Sequence, residues 1–268
     1  MKTREAVLGW VGLAARLRRR PSLSMEALSR LGAAALERAG AALLPAYLKE
    51  LLALHAIWAT SARDVLLALG FSDNEVAALL EEYESVAGNL RSEIARASLR
   101  YPSDFRIEEE TQRLLYVLVR ARQPQLVVET GVADGMSTRL ITEGLTRNQH
   151  GLLHSCDVLD DVGALVLNHP TARRLKLHIL PWPYGRHLDR LCATLSPVDI
   201  FIHDSNHQYH NARYEYEVAW KFLRAGGLLV SDDVDAANAF AHVCKIHHIA
   251  PIILVDKRKA VGIATKPK

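Results

Sequence analysis

From residue 107 onward the chain is a succession of short apolar runs, each closed by a polar or glycine-bearing turn, and this punctuation leaves few folds open. The runs are Leu126–Glu129, Leu152–Cys156, Leu175–Leu180, Asp199–His203, Leu228–Ser231, Ile252–Val255 and Val261–Ala264. Helical stretches separate the early runs, which is the βαβ arrangement of a mostly parallel sheet covered on both faces. Only Asp256-Lys257-Arg258-Lys259-Ala260 separates the last two. So short a link cannot carry a parallel crossover, so the two runs form a hairpin and the final strand runs antiparallel. The expectation is an α/β domain over residues 105–268 with a seven-stranded, mostly parallel sheet whose last strand is reversed.

Residues 1–104 follow another pattern. They are rich in Ala, Leu, Glu and Arg, and apolar residues recur at helical spacing, as in Leu43, Leu44, Leu48, Leu51, Leu52 and Leu54. Ser61 with Asp64 and Ser72 with Glu75 have the spacing of helix N-terminal boxes, and Gly70 stands where the first of these helices should stop. Four or five helices ending near Arg100 are expected, with Tyr101-Pro102-Ser103-Asp104 as the link. An all-helical region of this kind carries an apolar stripe that must be buried, either as a lid over the site or in a homo-oligomer interface.

The apolar run Ala6–Ala15, behind Lys2 and Arg4, superficially suggests a secretory signal. It is followed by Arg16, Arg18, Arg19 and Arg20 instead of a small-residue cleavage site, and it is too short to span a bilayer. It reads as a basic amphipathic surface helix, with peripheral contact to an acidic membrane or partner as the alternative. The expected location is cytoplasmic. With 49% hydrophobic and 24% charged residues, the composition excludes a disordered, collagen-like or polytopic membrane chain. Cys156, Cys192 and Cys244 are too few and scattered for a disulfide framework or zinc ribbon.

The first strand leads into Glu129-Thr130-Gly131-Val132-Ala133-Asp134-Gly135-Met136-Ser137-Thr138, a turn that opens a helix. Glycines there let the backbone approach a nucleotide, and helix N-terminal amides attract negative groups. The dinucleotide fingerprint fits poorly, because Ala133 and Met136 fall where it needs glycine. A carboxylate two residues before the first glycine, Glu129, is instead the pattern that binds S-adenosylmethionine, whose amino-acid end presents an ammonium. The next strand ends at Asp157, where an acid can accept both ribose hydroxyls. The cofactor residues expected are Glu129, Gly131, Ala133, Gly135, Ser137 and Asp157; a tight βα turn without ligand is the alternative.

The strand 199–203 runs into Asp204-Ser205-Asn206-His207-Gln208-Tyr209, and the strand 228–231 ends in Asp232-Asp233. A doubly wound sheet makes these C-terminal ends neighbours beside the cofactor crevice. Three carboxylates gathered there repel one another unless a cation is bound or some are protonated. Such hard oxygen ligands suit Mg²⁺ or a similar divalent ion, with Asp204, Asp232 and Asp233 as its ligands. The competing reading has Asp232 or Asp233 capping a helix from Ala236 and Asp204 capping a turn. His207 is the candidate base, since a neutral imidazole accepts a proton near pH 7. His203 should pack in the sheet, and His242, His247 and His248 lack companion ligands. Trp182 and Tyr184 could stack on adenine, wall the acceptor or pack in the core; Tyr209, Tyr214 and Tyr216 read as scaffold.

The segment Val127–Thr138, with Asp157, resembles motifs I and II of the Rossmann-like class I S-adenosylmethionine-dependent methyltransferases, and the closing hairpin resembles that family's reversed last strand. The middle glycine of the family motif is Ala133 here. The stretch His203–Tyr209 resembles the D-x-x-H-x-Y segment of a branch that includes macrocin-type and rhamnosyl sugar O-methyltransferases and cephalosporin-hydroxylase-like proteins. Asn206 stands where many relatives carry a second acid. The resemblance covers about residues 107–268 and implies acids at Asp204, Asp232 and Asp233 holding Mg²⁺. It also implies an O-methyltransferase acting on a small-molecule hydroxyl, a sugar or natural-product glycoside for preference. Metal coordination lowers the pKa of a bound hydroxyl by many units, and His207 or Asp204 then takes the proton. The rivals are an RNA methyltransferase using Arg16–Arg20 on phosphate, for which no RNA-binding module is present, and a non-catalytic binding protein on the same scaffold.

Overall fold

The computed structural model describes residues 50–181, 185–257 and 259–268. The helices expected before residue 50, the Arg16–Arg20 cluster, Trp182 and Tyr184 lie outside the described residues. The elements run β1 (Ile57–Ala59), α1 (Ala62–Ala68), α2 (Asp73–Arg96), α3 (Glu109–Arg122), β2 (Leu126–Thr130), α4 (Met136–Asn148), β3 (Leu152–Asp157) and β4 (Leu175–Ile179). They continue with α5 (Gly185–Leu195), β5 (Val198–His203), α6 (Tyr209–Phe222), β6 (Leu223–Ser231), α7 (Ala239–Ile246), β7 (Ile252–Asp256) and β8 (Lys259–Thr265).

The eight strands among the described residues form one sheet in the order β1-β7-β8-β6-β5-β2-β3-β4. Every neighbouring pair is parallel except the two made by β8, so the last strand is reversed between β6 and β7, as the short hairpin link requires. Alternation along the strands splits the core in two. Val127, Ile200, Ile202, Leu228 and Val230 pack with α1 to α4, while Val128, Phe201 and Leu229 pack with α5 to α7. This is the Rossmann-like, doubly wound layering that the run pattern predicts. No helix among the described residues is long and apolar enough to cross a membrane, and all three cysteines are buried free thiols.

One strand corrects the sequence reading. Ile57-Trp58-Ala59 joins the sheet as an eighth member, in parallel register with Ile252, Ile253 and Leu254, so residues 1–104 are not all helical. Three residues are too few to carry a periodicity, and this strand exists only because β7 offers it an edge. The 105 boundary is also no break in packing, because Val65, Leu66, Val76, Tyr83 and Leu90 lie in the same apolar cluster as the sheet. The local signals do hold. Ser61 accepts from the Asp64 amide, Ser72 and Glu75 form a reciprocal capping box, and Gly70 follows α1 at φ +90.

Two helix starts are capped from a distance. Glu110 Oε2 accepts the Ala62 amide at 2.8 Å, and Asp256 Oδ2 accepts the Thr111 amide at 2.7 Å and hydroxyl at 2.9 Å. Asp256 is buried at the end of β7. The variant Asp256→Ala should leave both Thr111 donors buried without a partner, costing about 2 kcal/mol and lowering Tm by roughly 4–8 °C. Calorimetric or circular-dichroism melts read this directly.

Candidate active site

The C-terminal ends of β2, β3, β5 and β6 meet along one edge of the sheet, and backbone hydrogen bonds knit them. The Gly131 amide donates to Cys156 O at 2.9 Å, the Asp204 amide to Thr130 O at 2.9 Å, and the Asp232 amide to His203 O at 2.9 Å. Every candidate site residue hangs from this seam.

Glu129 is fully buried at the end of β2. Its Oε2 accepts from Thr138 Oγ1 at 2.7 Å and Ser155 Oγ at 2.6 Å. Its Oε1, equally buried, makes no hydrogen bond. Burial pushes the carboxyl above the usual range, against the hydroxyls that bond to it. A buried acceptor left open costs free energy until something donates to it. The turn above has Gly131 at φ +86, Ala133 at φ +46 and Gly135 at φ +86. Ala133 thus keeps the left-handed conformation of the glycine it replaces in the motif, at a steric cost of about 1–2 kcal/mol. Ser137 lies buried in the first turn of α4. A Cβ on Gly131 would stand 2.0 Å from Asp204 O, so the glycine turn and the acidic loop touch backbone to backbone.

Asp157, at the end of β3, accepts the Val132 amide at 2.9 Å and the Leu159 amide at 2.9 Å, one on each oxygen. The amides of the turn after β2 and of the segment after β3 thus hold this carboxylate in place. Burial raises this carboxyl too, against its backbone hydrogen bonds. Asp134 was not singled out by sequence reasoning. It accepts the Arg100 amide at 2.8 Å and the Tyr101 amide at 3.2 Å, tying the expected link to the glycine turn.

Asp204, His207, Asp232 and Asp233 do come together. His207 is 6% exposed, with Nε2 3.5 Å from Asp233 Oδ2 and 3.9 Å from Asp204 Oδ1. The capping alternative for Asp232 and Asp233 is not seen, since α7 starts at Ala239 behind Asn238. Asp204, Asp232 and Asp233 are the acids expected to hold Mg²⁺. Among the described residues no group of three or more His, Cys, Asp or Glu is disposed to hold a metal ion. Lys259 stands against two of the acids instead, with Nζ 3.4 Å from Asp232 Oδ2 and 3.1 Å from Asp233 Oδ1.

Behind the loop lies a network that sequence reasoning missed. Glu215 on α6 is fully buried, and it accepts from Ser205 Oγ at 2.7 Å, from Asn211 Nδ2 at 3.1 Å and from Thr130 Oγ1. His203 Nδ1 lies 2.6 Å from its Oε2. His203 packs inside the sheet as expected, and its ring meets His207 edge-on at 5.2 Å. A buried acid on a helix has no sequence signature beyond falling one residue after Tyr214 on an otherwise amphipathic face. His242 and His247 are structural: His242 contacts Glu50 and Tyr209, and His247 stacks on Trp220.

Residues 128–234 match a family model described as a methyltransferase domain. No curated protein matches the chain significantly. Among solved structures, the chain is similar to cofactor-bound Rv0187 from MTB, at 18% identity and TM-score 0.52, over 68% of this chain and 90% of that one. It is similar also to the O-methyltransferase TomG from Streptomyces achromogenes, solved with SAM, at 16% identity and TM-score 0.51 over 78% of this chain and 97% of that one. A methyltransferase from Geobacter sulfurreducens aligns at 18% identity and TM-score 0.51, over 72% and 88% of the two chains. At these identities the likeness speaks for the fold. With the family match over 128–234, which spans the glycine turn and the acid-histidine loop, the chain is an enzyme of the methyltransferase class built on the Rossmann-like sheet.

Proposed function

We propose that the protein is an S-adenosylmethionine-dependent O-methyltransferase acting on a hydroxyl of a small molecule, a sugar or natural-product glycoside for preference. The observation that carries this reading is the contact of the two halves of the site. Gly131 of the cofactor turn abuts the backbone of Asp204, and His207 follows three residues along the same loop. A base and a methyl donor held by these segments are neighbours by construction.

When bound, the cofactor supplies an electrophilic methyl group on a sulfonium. Glu129 Oε1 offers the open buried acceptor that its ammonium requires, and Asp157, fixed at the end of β3, the carboxylate for its ribose. Gly131, Ala133, Gly135 and Ser137 shape the turn against which it lies. His207 takes the proton of the acceptor hydroxyl on its imidazole. Asp204 and Asp233, 3.9 and 3.5 Å away, favour the imidazolium that forms. Alignment of acceptor oxygen, methyl carbon and departing sulfur is the remaining contribution of the protein.

Titration of S-adenosylhomocysteine into wild type and Glu129→Gln, with melts of both, tests this. The glutamine carbonyl still accepts from Thr138 and Ser155 but offers no charge, so affinity should fall about 10- to 100-fold. The unliganded variant should move the other way. The folded Glu129 carboxyl lies above its unfolded range, so wild type loses stability as pH rises from the unfolded value through the folded one. Glutamine removes that pH-dependent loss, so the variant's Tm should rise relative to wild type as pH increases, a trend read by melts at several pH values. Absence of binding by wild type would leave a non-catalytic scaffold as the reading. Binding without transfer to any hydroxyl acceptor would redirect the search to nucleic acid.

A further inference from the structure

We propose that Lys259 is the resident cation of Asp232 and Asp233, meeting the oxygens a divalent metal would otherwise draw on and positioning Asp233 against His207. The inference rests on the methyltransferase reading only for what the site does, not for the geometry. Lys259 Nζ lies 3.4 Å from Asp232 Oδ2, 3.1 Å from Asp233 Oδ1 and 3.2 Å from Asp233 Oδ2. The side chains are enclosed: Lys259 is 16% exposed, Asp232 5% and Asp233 13%.

The lysine is delivered there by the backbone. The Val234 amide donates to Ala260 O at 2.9 Å, and the Ala260 amide donates to Asp235 Oδ1 at 3.0 Å. These two bonds clamp the loop after β6 to the first residues of β8, one residue from Lys259. The closing pair of the β7–β8 ladder, Asp256 with Lys259, fixes the hairpin mouth on the other side. Asp233 itself sits at φ +50, in the left-handed region that aspartate enters more readily than most side chains.

An ammonium has three donors and a compact charge, and can satisfy oxygens from two carboxylates without the short, near-octahedral shell that Mg²⁺ demands. A divalent ion placed on the same oxygens would meet the lysine charge at close range in an enclosed site. Two of the three acids that sequence alone suggests for metal thus share an internal cation, from the reversed hairpin. Lys259 acts through Asp233 on His207, and is a positioning residue.

The test is calorimetric titration of Mg²⁺ into wild type, Lys259→Met and Lys259→Arg, each also titrated with S-adenosylhomocysteine and melted to confirm folding. Wild type and Lys259→Arg should give no saturable Mg²⁺ heat at millimolar concentration. Lys259→Met should gain saturable binding, lost again in the Lys259→Met/Asp232→Asn double variant. Saturable Mg²⁺ binding by wild type that disappears in Asp232→Asn overturns the proposal. So does a folded Lys259→Met that binds no Mg²⁺, because the acids then form no cation site for the lysine to fill. Should Lys259→Met fail to fold, Lys259→Gln is read in the same way. Loss of S-adenosylhomocysteine binding in wild type would sink the enzymatic reading while leaving the Mg²⁺ result to judge Lys259.

Discussion

His207→Ala should lower kcat about 10²- to 10⁴-fold while leaving the affinity for S-adenosylhomocysteine unchanged. An alkyl hydroxyl is a poor nucleophile until its proton has somewhere to go, and His207 is the imidazole that the strand ends bring beside the glycine turn. It lies between two carboxylates, with Nε2 3.5 Å from Asp233 and 3.9 Å from Asp204. The ring is buried and set edge-on to His203, so truncation also removes packing. A melt distinguishes the two effects, and His207→Gln, which keeps much of the volume, should lose kcat by the same order. The Glu129 pocket is untouched by either change, so calorimetry with S-adenosylhomocysteine should superimpose on wild type. A kcat within a few-fold of wild type would mean that another group, Asp204 first, takes the proton.

Gly131→Ala should abolish S-adenosylhomocysteine binding and lower Tm by roughly 5–15 °C. Two costs add. The backbone at φ +86 disfavours any side chain, and the new methyl would stand 2.0 Å from Asp204 O, 2.6 Å from its carbonyl carbon and 2.9 Å from Ser205 Cα. All three are backbone atoms, so no rotamer relieves the clash and the ends of β2 and β5 must part. The left-handed strain and the overpacking together come to about 2–5 kcal/mol. Gly70→Ala is the control, because Gly70 has φ +90 but nothing within 4 Å of its would-be Cβ. It should show only the conformational part, about 1 kcal/mol, with cofactor affinity intact. Equal effects from both would mean that contact with the acidic loop is not what makes Gly131 necessary.

The sequence was legible wherever the determinant is local. Apolar runs, helix caps and the brevity of the Asp256–Ala260 link each act over a few residues, and each has its counterpart in the structure. The glycine turn was legible for the same reason. What escaped depends on partners far along the chain. β1 is three residues that become a strand only against β7. Asp256 caps α3 from a sequence distance of 145 residues. Glu215 looks like any helical glutamate until Thr130, His203 and Ser205 close around it. The acids Asp204 and Asp233 flank His207, and Asp232 and Asp233 share Lys259, contacts that join ends of different strands. The approach of Lys259 to Asp232 and Asp233 depends on hairpin geometry, which spacing does not encode.

The place of β8 has a further consequence. Among the described residues, strands β1 and β7 reach the rest of the sheet through β8, in the order β1-β7-β8-β6. Opening the β6–β8 ladder therefore releases three strands in a single event, and their amides should exchange with solvent as one cooperative unit. The same event lifts Lys259 away from Asp232 and Asp233. Charge balance at the site and attachment of the N-terminal strand are thus a single equilibrium, settled by one short antiparallel seam.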